Sequence, residues 1–85
     1  MDKYEVARQA SALPSRFAGR VPARTLESIQ LMDEGGEYGE LTIELAASLA
    51  AHHIPVTAAE RDELLALLEA MDMPTDPIAK LNVQD

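Results

Sequence analysis

Between Gly39 and Ile54 the apolar residues Leu41, Leu45, Ala46, Leu49 and Ala50 return at three- and four-residue intervals, and this spacing limits the fold more than any other feature. A helix of 3.6 residues per turn gathers them on one face, with Ile43 widening the face and His53 extending it. A strand would need strict alternation, and the chain has no alternating run of Val, Ile and Thr. Alanine and leucine dominate instead, with only two Tyr and one Phe.

Breakers divide this helical text into segments. The first is expected from about Asp2 to Leu13, because a residue preceding proline is steered away from the helical region and Pro14 follows. Tyr4, Ala7 and Ser11, with Val6 and Ala10, form its weak stripe. The second opens near Pro22, whose missing N–H is harmless in a first turn. It carries Leu26, Ile29 and Met32 at helical spacing and ends at Gly35-Gly36. The third runs from about Tyr38 to His53, where Ile54-Pro55 breaks it. Thr57 and Glu60 then fit a capping box, followed by Leu64, Leu65, Leu67, Leu68 and Met71. Met73-Pro74 closes this fourth segment. The connection Ile54 to Thr57 is short enough to predict that helices three and four form an antiparallel hairpin. Residues 75–85 hold Ile78, Leu81 and Val83 and suit either a short helix or an extended strap. The expected fold is all-α, a compact bundle of about four helices. At 85 residues it is a single domain, with roughly 5,000 Å² of surface by size scaling.

Several chemistries drop out. Cysteine is absent, so disulfide frameworks, zinc ribbons and thiol nucleophiles are excluded. No stretch approaches the roughly 18 apolar residues of a membrane span, and MDKYEVARQA has no apolar run of signal-peptide length. A soluble, cytoplasmic protein is expected, with no membrane contact. His52 and His53 are adjacent and point about 100° apart on a helix, so they cannot chelate one ion from one face; one is expected in the core and the other in water. Asp33 to Glu44 has acids at the first and twelfth positions of a calcium loop. Tyr38, however, stands where the loop demands glycine, Gly35 at its third position and Glu40 where an apolar residue belongs. Ser11, Ser15, Ser28 and Ser48 sit in no nucleophile motif. Gly35-Gly36 is followed by acids that repel phosphate. Glu27-Ser28-Ile29 lies inside a helical segment and is a poor match to the Asp-Ser-Leu context of an acyl carrier protein. The expectation is a protein with no catalytic residues, no metal and no cofactor.

The charge layout is more telling. Residues 1–24 hold Lys3, Arg8, Arg16, Arg20 and Arg24 against Asp2 and Glu5, a net +3. Residues 25–85 hold thirteen acids against Arg61 and Lys80, a net −11. Asp33, Glu34, Glu37, Glu40 and Glu44 crowd the Gly35-Gly36 turn and the start of the third helix, and Glu37, Glu40 and Glu44 are spaced to share a side. Such a run suits a solvated helix face, or an electrostatic docking patch for a basic partner. Tyr38, flanked by Glu37 and Gly39, is either a core plug or an interface anchor. The acidic majority opposes direct nucleic-acid binding.

From Leu31 to Pro74 the chain resembles the small helical immunity proteins of bacterial polymorphic-toxin systems, the Maf-type group in particular. The resemblance rests on Gly36-Glu37-Tyr38-Gly39 opening the helix Leu41 to Ala51, the Ile54-Pro55-Val56-Thr57 loop, and the helix Glu60 to Met71. It implies a cytoplasmic protein that binds and blocks a cognate toxin with a basic surface, often a nuclease, by stoichiometric contact. Asp33, Glu34, Glu37, Tyr38, Glu40 and Glu44 are then the expected partner-binding residues. The alternative is a structural or regulatory helical homodimer with no toxin partner.

Overall fold

Asp2 opens the first helix by accepting the Glu5 N–H on its side chain at 2.8 Å, satisfying one of the donors that every helix start leaves unpaired. The computed structural model describes residues 1–85, and in it this helix, α1, runs Lys3–Phe17. α2 spans Ala23–Glu34, α3 Tyr38–Ala51 and α4 Ala58–Ala70. A 3-10 helix over Asp76–Lys80 and two-residue strands β1 (Pro55–Val56) and β2 (Asn82–Val83) complete the chain. The fold is thus a small all-α bundle of four helices. Its accessible surface of 4882 Å² falls close to the size-scaling expectation. No helix is long and apolar enough to cross a membrane.

The first helix corrects the sequence reading. Pro14 lies inside α1, buried, and the helix continues to Phe17. An interior proline costs about 3 kcal/mol through its lost hydrogen bond and its clash with the preceding turn. The extra turn offsets this by burying Phe17. The buried stripe is Val6, Ala10, Leu13 and Phe17, whereas Tyr4 is 78% exposed. Propensity and breaker rules are local, and here a tertiary gain outweighs them.

Three helices stop by one device. Gly36, His53 and Asp72 all take positive φ, at 70°, 52° and 54°. In each case the next N–H reaches back five residues: Glu37 to the Met32 carbonyl, Ile54 to Leu49 and Met73 to Leu68. This is the Schellman arrangement, which gives the last carbonyls of a helix a donor. Glycine fits that conformation without strain; His53 and Asp72 hold it because the apolar residues after them, Ile54 and Met73, pack against the core. The outward turn at the end of α3 also leaves both histidines exposed, and neither enters the core.

α4 starts with the expected capping box. The Thr57 hydroxyl accepts the Glu60 N–H at 3.0 Å, and the Glu60 carboxylate accepts the Thr57 N–H at 2.9 Å. Thr57→Ala should therefore lower stability by about 1 kcal/mol in urea denaturation. A change within error of zero would mean that Glu60 alone holds the helix start.

α3 is the central element, packing against α1, α2, α4 and the 3-10 helix. Its Leu41, Leu45, Ala46 and Leu49 meet Phe17 and Leu13 of α1, Ile29 of α2 and Leu64, Leu67 and Leu68 of α4 in one core. Two buried hydroxyls are satisfied, Thr42 donating to the Tyr38 carbonyl and Thr25 pairing with Ser48, both at 2.8 Å. Residues 75–85 are helix and strap together. Ile78 on the 3-10 helix enters the core, and β2 lies parallel to β1 with Asn82 beside Pro55 and Val83 beside Val56.

Candidate functional site

The acidic run starts where α2 ends and the Schellman turn at Gly36 swings the chain into α3. Glu37 caps α3 without a side-chain bond of its own, and Glu40 stands in the first turn, where a carboxylate complements the positive helix end. The five carboxylates among the six expected residues separate into two groups. Asp33 is half-buried and accepts the Ser11 hydroxyl at 2.6 Å, tying α2 to α1. Glu44 is also half-buried and accepts the Ser28 hydroxyl at 3.2 Å, tying α3 to α2. Glu34, Glu37 and Glu40 are exposed and join no ion pair.

Tyr38 is half-buried at the first position of α3, outside the fully buried core and partly open to solvent. Beside it, a Cβ on Gly39 would sit 3.0 Å from the Met73 sulfur. The chain just beyond α4 therefore packs closely against the first turn of α3.

The basic residues behave differently from a separate patch. Arg16 binds the Glu63 carboxylate at 2.7 Å. Arg20 forks onto both Glu60 oxygens at 2.7 and 2.9 Å, donates to the Pro55 carbonyl at 2.8 Å, and stacks 4.5 Å from the centre of the Phe17 ring. Two of the five cations of the first segment are thus consumed in fastening α1 and the turn after it to α4. The Glu60 carboxyl is held down at about 2, chiefly by the Arg20 hydrogen bonds; burial opposes this, and the Thr57 N–H and the charges of Arg20 and Arg16 assist. The Arg20 guanidinium is raised in turn, first by its bond to Glu60. Sequence inspection missed this network. Its only trace is that Arg16 and Arg20, and Glu60 and Glu63, each recur at one-turn spacing.

Residues 25–59 contain Glu27, Asp33, Glu34, Glu37, Glu40 and Glu44 with no Lys or Arg. Every ion pair in the protein lies outside that range. Arg24 in the first turn of α2 is the one cation on α2 or the start of α3, and it joins no ion pair. No three His, Asp or Glu side chains are arranged to hold a metal ion. An open cleft of about 390 Å³ lies between the C-terminal turns of α3 and the 3-10 helix, floored by Ala47, Ala50 and Ala51 and edged by His53, Asp76 and Lys80. No serine or threonine lines it, so it offers no hydroxyl nucleophile beside His53. No family model, characterised protein or solved structure matches the chain.

Proposed function

We propose that this chain is an immunity protein that binds a basic toxin, a nuclease by class, one to one and blocks it. The contact surface is the acidic stretch at the α2–α3 turn. Glu34, Glu37 and Glu40 supply the charge, Tyr38 supplies an amphipathic aromatic, and Asp33 and Glu44 are fixed by their serine bonds. The observation that carries this reading is the unpaired acidic charge on residues 25–59, which agrees with the partner implied by the resemblance of Leu31 to Pro74. A cleft that binds nucleic acid is cationic, and carboxylates on a firm helical frame are electrostatically complementary to it.

Opposite patches act mainly on encounter, and their attraction fades as the Debye length shrinks from roughly 10 Å at 0.1 M salt to 3 Å at 1 M. The combined variant Glu34→Lys, Glu37→Lys, Glu40→Lys should lower the association rate with the toxin at least about tenfold at low salt. Helicity should stay unchanged, since exposed charges contribute little stability. The partner is obtained by co-expression with the neighbouring gene, and rates are read by surface plasmon resonance across a salt series. Wild-type association slows with added salt; the variant loses or inverts that dependence. A variant that binds and protects as wild type does removes the acidic surface from the function.

The homodimer reading draws on Tyr4 and Leu31, large apolar side chains that are 78% and 68% exposed. Light scattering on the purified chain separates the two, because a stoichiometric inhibitor of this kind needs no second copy.

A further inference from the structure

Residues 75–85 are attached unlike the rest of the chain. Ile78, 8% exposed, is their one buried side chain, while Leu81 and Val83 are half-buried. Their polar attachments to the rest of the chain all fall between His53 and Ala58, on the stretch joining α3 to α4 and the first residue of α4. The Asn82 amide donates to the His53 carbonyl at 3.1 Å, the Gln84 N–H to the Val56 carbonyl at 2.8 Å, and the Asp85 carboxylate accepts the Ala58 N–H at 2.9 Å. The 3-10 helix has no side-chain cap, and neither Asp76 nor Lys80 forms an ion pair. The cleft over Ala47, Ala50 and Ala51 separates it from part of α3. On the approach to this segment, Asp72 takes positive φ and Pro74 follows it.

We infer that residues 75–85 form a clasp that opens as one unit while the four-helix bundle stays folded. Local stability follows buried apolar contact, and one buried isoleucine with the half-buried Leu81 and Val83 must hold this whole segment against the entropy gained on release. The holds are coupled: β2, Gln84 and Asp85 grip neighbouring groups on one strand and one helix start, so loss of one slackens the others. Closed, the clasp gives the α4 N-terminus a second acceptor beside Thr57 and occupies the edge of β1. Open, it bares the Val56 and His53 carbonyls, frees the Ala58 N–H and empties the Ile78 seat. A parallel-strand edge and an apolar socket then appear together.

Hydrogen exchange followed by mass spectrometry tests this on the full chain. Peptides covering 78–85 should exchange at least tenfold faster than those covering 43–50, at a rate insensitive to low urea. Asp85→Ala should speed exchange across all of 78–85 and leave α1 and α2 unchanged. Because the chain has no cysteine, Pro55→Cys with Asn82→Cys creates a single disulfide across β1 and β2, which should raise protection of 78–85 to that of α3. The inference is overturned if 78–85 shares the rate and urea dependence of 43–50 in the wild type. It is overturned equally if Asp85→Ala affects only the amide of Ala58.

Discussion

Phe17→Ala should destabilise the protein by about 3–5 kcal/mol, the range for deleting a buried aromatic side chain. Phe17 is the only phenylalanine and is 1% exposed, at the end of a helical turn that exists despite Pro14. The loss would extend beyond a cavity. The ring is the platform for Arg20, stacked 4.5 Å from its centre, and Arg16 lies 5.8 Å away. Without the ring, the turn after Pro14 has little reason to stay helical, and the two arginines lose the frame that aims them at Glu60 and Glu63. Small domains hold a total of about 5–15 kcal/mol, so the variant should melt far lower and lose helix signal near the end of α1. Urea denaturation measures the change. A loss under about 1 kcal/mol would mean that the last turn of α1 is not packed as described.

What the sequence made legible is what depends on neighbours in the chain. The bonds of the Thr57–Glu60 box and of the Gly36 turn span no more than five residues, so type and spacing alone reveal them. The Leu41, Leu45 and Leu49 face is legible because burial there follows helix geometry. Pro14 misled because its penalty is local while the burial of Phe17 that offsets it is tertiary. His53 and Asp72 gave no sign of left-handed caps, since glycine or asparagine usually marks them, and here the packing of the following residue decides. Among the candidate contact residues, the acidic run from Asp33 to Glu44 is visible in the sequence, but its division into exposed Glu34, Glu37 and Glu40 and half-buried Asp33 and Glu44 is not. Nor is the anchoring of Asp33 by Ser11 and of Glu44 by Ser28. Those pairs lie 22 and 16 residues apart, and helix docking alone brings them together. The same limit hid the arginine clamp, whose partners are 40 and 47 residues apart.

That clamp gives the second large expectation, a loss of about 2–3 kcal/mol for Arg20→Ala at neutral pH. The side chain is 35% exposed and its Glu60 partner 17%, so solvent screens part of the attraction, and the fork alone would contribute less. The larger figure arises because the substitution also strips the donor from the Pro55 carbonyl and the cation from the Phe17 ring. The dependence on pH separates these contributions. Glu60 titrates at about 2 in the folded protein against an ordinary value of 4.5, so the folded state favours the carboxylate. The stability from that preference is fully present above about pH 4.5 and is lost as pH falls through about 2. Wild type should therefore weaken across this window more steeply than Arg20→Ala, and the gap between them should narrow toward pH 2. Arg20→Lys, which keeps the charge but cannot fork, should fall between the two. Urea midpoints taken from pH 2.5 to 7 provide the test. A gap that stays constant across the window would assign the role of Arg20 to the Pro55 carbonyl and the Phe17 ring. The low titration of Glu60 would then have to come from Thr57 and Arg16.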